Sequence, residues 1–157
     1  AENGGLSYPG YQITNLDDWS PTARILSVKH YSRGREAELS PLDLALGWGK
    51  MVDPAVASQF EISQRNRWFY WKTNKLPFSR AEATRSMSNV HVIPATQFVA
   101  EQIEDLKAGQ QVQLRGKLVE VVADDGWRWR SSLSRTDSGA RSCELLWLES
   151  VQVRSGP

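Results

Sequence analysis

The sequence of 157 residues has one cysteine, Cys143, and two histidines, His30 and His91. A lone cysteine excludes an intramolecular disulfide and any cysteine-rich zinc site. Two histidines and scattered acids form no recognised ligand spacing, so neither a metal nor another cofactor is expected. No apolar run approaches the ~20 residues needed to cross a bilayer. An excess of one charge is lacking too: nineteen Lys and Arg against eighteen Asp and Glu leave +1. That excludes a protein-wide field for steering a polyanion, so nucleic-acid contact would need a local patch. A phosphate-cradling loop is also missing, because Gly47-Trp48-Gly49-Lys50 lacks the earlier glycine and the hydroxyl residue after the lysine.

What remains is ordinary globular composition, 40% apolar and 24% charged, with an unusual seven tryptophans. At this length a single domain can bury roughly two-thirds of its unfolded surface. The expected organisation is a flexible, Gly-rich segment at 1–9, one globular domain at 10–153 and a tail at 154–157. The chain opens on Ala1 rather than Met, as expected of a processed chain.

Alternation predicts a strand over Thr22–Tyr31 and a weaker one over Tyr11–Leu16. Ser40-Pro41 before LDLALGWG has the form of a helix start, predicting a helix at 41–47 anchored by Trp48. Asp53-Pro54 repeats that form and predicts a short helix through Gln59. The capping-box spacing of Ser79 and Glu82 predicts another helix. VHVI at Val90–Ile93 reads as a strand, and residues 96–106 read as a helix closed by Gly109.

Three strands follow, at 111–122, 127–133 and 143–153. Asp124-Asp125-Gly126 suits a three-residue hairpin turn, which sets Glu120 opposite Arg130 and Val121 opposite Trp129. Trp127 and Trp129 then point inward with Val119 and Val121. Earlier in that strand the apolar phase is Val112, Leu114 and Leu118, one residue out of step, which predicts a bulge near Gly116. The fold class read from these signals is α+β: mostly antiparallel strands forming an OB-like or SH3-like barrel, with several short helices.

The segments LSPLDLALGWGKM, ISQRNRWFYW, SNVHVIPA and GWRWRSSLSR together resemble a bacterial family of domains of unknown function, over most of the chain from about Ala23 to Val153. Members of that family carry an N-terminal hydrophobic segment. The resemblance therefore implies an exported or membrane-tethered, extracytoplasmic domain; it brings no activity and no catalytic residue.

Two sets of side chains invite a functional reading. The first interleaves aromatics with cations: Arg67, Trp68, Phe69, Tyr70, Trp71 and Lys72, with Arg128 and Arg130 in WRWR. Such patches stack bases or sugars beside charged contacts, although large rings also serve cores. In Arg67–Lys72, Trp68 and Tyr70 face one side and Phe69 and Trp71 the other, so the strand is either wholly internal or exposes one aromatic pair. The second set is a nucleophile with a base, Cys143 or Ser131/Ser132 with a histidine, as in a small hydrolase or transferase. Asp17, Asp18, Glu36 and Asp43 are acids that no spacing forces together. No catalytic residue is assigned. The expected role is a non-enzymatic binding or assembly module of the cell envelope, its partner another envelope protein, with a glycan or single-stranded nucleic acid as the alternatives.

Overall fold

The structure, a computed structural model, describes residues 5–133 and 143–155. Among the described residues nine strands and four short α-helices follow one another as β1 (Tyr11–Trp19), β2 (Thr22–His30), α1 (Arg35–Leu39), β3 (Leu42–Gly47), α2 (Pro54–Ala57), β4 (Glu61–Arg65), β5 (Trp68–Lys72), α3 (Arg80–Arg85), β6 (Met87–Pro94), α4 (Gln97–Ile103), β7 (Gln111–Ala123), β8 (Arg128–Arg130) and β9 (Glu144–Ser155), with a 3-10 turn at Gly49–Val52. The protein is a strand-rich α+β fold whose main sheet is mostly antiparallel and closes on itself. The ring runs β2-β3-β6-β9-β7 and returns to β2, with β6 and β9 its only parallel pair. Closure leaves these five strands no open edge, which is how a small barrel satisfies its backbone.

Inside the ring lie Leu42, Leu44 and Leu46 of β3, Val90 and Val92 of β6, Val112, Leu114 and Leu118 of β7, and Leu146 and Leu148 of β9. α4 lies between β6 and β7 in the chain and adds Val99 and Ile103 to that core. Its start is capped by Thr96, whose hydroxyl accepts from the Val99 N–H.

The helix predicted at 41–47 is instead strand β3. Its leucines recur every second residue and fill the barrel, while Asp43, Ala45 and Gly47 lie buried on the opposite face. A short run buried on both faces carries little signal to distinguish strand from helix. Ser40 does mark a helix boundary, but as the residue closing α1. The helix starts at Asp53 and Ser79 are observed: each side-chain oxygen accepts a backbone N–H, from Ala55 and Glu82 respectively.

The two apolar phases of β7 have a different cause from a bulge in β7 itself. Register shifts do occur there, between Arg115 and Gly116 against β9, but the extra residue is Glu149 of β9. Against β1 the extra residue is Leu16. β7 runs uninterrupted and buries both faces: Val112, Leu114 and Leu118 line the barrel, whereas Val119 and Val121 belong to a second cluster with Leu39, Ile93 and Leu145. Trp127 and Trp129 pack half-buried on that second cluster, outside the barrel core. The expected register is present, with Glu120 opposite Arg130 and Val121 opposite Trp129. Gly126 adopts φ 92° to close the turn.

β4 and β5 form a separate hairpin that covers a third cluster of Met51, Phe60, Ala83 and Met87. Residues 5–8 are tied to the body: the Leu6 N–H donates to the Ala95 carbonyl at 2.9 Å and the Tyr8 hydroxyl to the Pro94 carbonyl at 2.6 Å. At the other end β9 extends to Ser155. Among the described residues no helix is long and apolar enough to cross a membrane.

Candidate functional site

The site starts from an acid in an apolar run. Asp43 sits between Leu42 and Leu44 on β3, so alternation sends its side chain away from the barrel core. It is fully buried there, and a buried carboxylate must be compensated. Three donors from two other segments do so. Arg67 Nη1 reaches Oδ1 at 2.7 Å, His91 Nδ1 reaches the same oxygen at 2.8 Å, and Asn89 Nδ2 reaches Oδ2 at 3.0 Å. His91 and Asn89 stand two residues apart on β6, which pairs directly with β3, so both face Asp43.

Arg67 arrives by a strained turn. Asn66 and Arg67 link β4 to β5 with φ of 53° and 67°, a left-handed conformation that non-glycine residues adopt at a cost. The surroundings hold it there. The Arg67 N–H donates to the Tyr31 hydroxyl at 2.9 Å, and the guanidinium lies 3.9 Å from the Tyr31 ring centroid and 5.4 Å from that of Trp129. Nη2 also donates to the Ser40 carbonyl at 2.6 Å. Burial first, and then the negative charge of Asp43, push the Tyr31 phenol above its ordinary pKa, against the opposing pull of the Arg67 N–H and guanidinium.

Above this network opens a recess of about 430 Å³ lined by Arg67, Trp68, His91, Trp129, Arg130, Ser131, Ser132 and Cys143. Trp129 forms a wall, its ring centroid 5.0 Å from that of His91. After β8 the chain stays fastened between β7 and β9: the Ser131 N–H donates to the Val119 carbonyl and the Ser132 N–H to the Cys143 carbonyl, both at 3.0 Å. Arg130, in the lining, and Arg128, outside it, share one carboxylate, Glu120, at 3.6 and 3.4 Å.

The aromatic stretch divides between roles. Phe69 and Trp71 pack on the third cluster beneath the hairpin, and Arg80 lies over Trp71 at 5.1 Å. Trp68 lines the recess, and Tyr70 is 40% exposed with Arg65 stacked on it at 4.2 Å. The stretch is therefore not wholly internal. Lys72 lies outside the recess and faces Glu61 at 3.7 Å. Arg67 is a buried ion-pair partner, its side chain 12% exposed, and not an exposed cation of the strand.

The nucleophile candidates also meet at the recess, but their surroundings differ from those of a catalytic nucleophile. Burial first, then the charges of Glu144 and Asp43, push the Cys143 thiol up to about 12, which keeps it protonated at neutral pH. The Ser131 hydroxyl is engaged on both sides, donating to the Ser132 carbonyl at 2.8 Å and accepting from the Leu145 N–H at 3.0 Å. Among the described residues no group of three His, Cys, Asp or Glu side chains is placed to hold a metal ion.

Sequence reasoning had His91, Trp68, Trp129 and Cys143 in view but not the residues that organise them, Tyr31, Ser40 and Asn89. The available signal was Asp43 and His91, each flanked by apolar residues in a strand, a pattern that buries a polar group and demands a partner. Comparison of the chain with protein-family models, curated proteins and solved structures returns no match.

Proposed function

We propose that this protein is a binding module of the cell envelope whose ligand seats in the Trp68–His91–Trp129 recess. The observation that carries this reading is the recess itself: two tryptophans and an arginine-and-histidine floor, preorganised on a buried carboxylate. Its volume lies in the range of ligand sites, ~300–1,000 Å³. Such a network spends several buried polar groups where apolar residues would pack more cheaply, a pattern associated with function.

The barrel adds support. Its ring order, with one parallel pair and a helix between the third and fourth strands of the ring in chain order, supports reading it as an OB-like barrel. In that arrangement ligands use the face of the second and third strands and the loop between the fourth and fifth. Here the corresponding strands, β3 and β6, supply Asp43 and His91, and the corresponding connection supplies Trp129 to Ser132 and Cys143. Placement in the envelope follows the family resemblance, and a partner protein there remains part of the proposal.

The test is a nuclear magnetic resonance titration of the labelled protein with soluble envelope components. The reading expects shifts concentrated on the Trp68 and Trp129 indole N–H signals and around His91. Shifts confined to other faces, or saturable binding unchanged in Trp68→Ala and Trp129→Ala, refute it. A covalent enzyme is the second reading, favoured by the Asp43–His91 pair beside Ser132 and Cys143. Against it stand the raised thiol and the engaged Ser131.

A further inference from the structure

Building on the recess reading, we infer that the ligand is an uncharged, hydroxyl-bearing ring, a sugar unit of a glycan, which lies against Trp129 and Trp68 and donates a hydroxyl hydrogen bond to Nε2 of His91.

The carboxylate of Asp43 accepts from Arg67 Nη1 and Asn89 Nδ2, so its remaining neighbour, His91 Nδ1, meets it as a third donor. The imidazole is thereby held with its proton on Nδ1, and in the neutral ring Nε2 carries a lone pair. Nδ1 is taken up by the buried acid and His91 lines the recess, which leaves Nε2 as the ring nitrogen that can meet a ligand there. Among the described residues Nε2 has no hydrogen-bond partner. The floor of the recess therefore presents an acceptor, which calls for a ligand that donates.

Arg67 is neutralised by Asp43 at the floor, while Arg130 of the lining shares Glu120 with Arg128. The whole chain carries +1. Phosphate chains require a surplus of cations along their path, and among the described residues this recess has little. An anionic group would also meet the lone pair of Nε2 rather than an N–H. An uncharged ring avoids both conflicts. Indole walls with a polar floor also suit a ring having one apolar face and hydroxyls at its edge.

The experiment uses the full chain with two neutral oligosaccharides, a tetramer of N-acetylglucosamine and maltotetraose, and a thymidine oligonucleotide as the charged comparison. Binding is measured by isothermal titration calorimetry and by imidazole nitrogen resonances. At least one sugar is expected to bind and to move the Nε2 resonance of His91 in the wild-type protein. Affinity should fall at least tenfold in His91→Phe and be largely retained in His91→Gln, whose amide oxygen restores an acceptor. If His91→Phe does not fold, the wild-type Nε2 resonance alone decides: a bound sugar that leaves it unmoved overturns the inference. Silence from both sugars overturns it as well. In that event an oligonucleotide shifting the Trp68 and Trp129 signals would preserve the recess as a binding site with a different ligand class, whereas no response there from any probe would count against the recess reading itself.

Discussion

Gly116 lies where β7 meets β9 at the register shift that closes the barrel, between Arg115 opposite Ser150 and Gly116 opposite Leu148. A Cβ at this position would stand 2.0 Å from the Trp147 carbonyl oxygen, 3.0 Å from its carbonyl carbon and 3.1 Å from Leu146 Cδ1. Two of these atoms are backbone, so no side-chain rotation relieves the clash. An ordinary contact begins near 3.4 Å, which requires β7 and β9 to part locally by roughly 1.4 Å in an interior with little slack. Overpacking of this kind costs about 1–3 kcal/mol, and one or two weakened ladder hydrogen bonds add about 1 kcal/mol each. The expected cost of Gly116→Ala is therefore about 2–5 kcal/mol, out of a total stability on the order of 5–15 kcal/mol. For a domain of this size that corresponds to a fall in Tm of roughly 4–20 °C. Thermal unfolding followed by far-ultraviolet circular dichroism measures it. Gly126→Ala is the control: its Cβ would meet nothing within 4 Å and only its φ of 92° is unfavourable, so it should cost about 1 kcal/mol. A Tm for Gly116→Ala within about 2 °C of the wild type, or a larger loss in Gly126→Ala, would refute the argument that β7–β9 contact closes the barrel at this residue.

Arg67→Met removes the cation from the buried Asp43 and should cost about 3 kcal/mol in denaturant unfolding, with Asp43→Asn in the same chain recovering part of the loss; additive losses would show that the pair is not coupled. Trp48, half-buried against the barrel core, meets Trp19 edge to face at 6.3 Å and donates from Nε1 to the Arg85 carbonyl at 2.9 Å; Trp48→Ala should cost about 2–4 kcal/mol, and an unchanged denaturation midpoint would remove its anchoring role. The half-buried Cys143 thiol, held near 12, should react with a disulfide reagent at pH 8 at least ~100-fold more slowly in the native protein than in the unfolded chain, and equal rates would contradict its placement. Tyr8 is raised by burial to about 12 as well, so native Cys143 and Tyr8 keep protons that the unfolded chain releases from about pH 9 upward. Stability from these two groups is complete below that pH and is lost as pH rises toward 12, so the guanidinium midpoint should be lower at pH 10.5 than at pH 8.

The local rules were readable wherever one residue acts on its chain neighbours. Asp53 and Ser79 cap helices because a short side-chain oxygen reaches an N–H two or three residues ahead. Asp124-Asp125-Gly126 sets the β7–β8 register because a turn of fixed length leaves one pairing, Glu120 with Arg130. Alternation placed Trp68 and Tyr70 on one face of β5 and Phe69 and Trp71 on the other. It did not say which face would be covered, because burial depends on a hairpin docking over a cluster assembled from α3 and the segment around Met51. The same limit explains β3, where leucines in a run buried on both sides fit a helix start at Ser40-Pro41 as readily as a barrel strand. It explains β7 as well, whose out-of-step apolar residues serve two clusters on opposite faces. The recess lay furthest beyond reach. Asp43, Arg67 and His91 are more than twenty residues apart along the chain, and only the pairing of β3 with β6 and the strained turn at Asn66-Arg67 bring them within hydrogen-bond distance. Capping, turn geometry and alternation act over a few residues and are written locally; the meeting of distant polar groups is decided by which strands become neighbours when the ring closes.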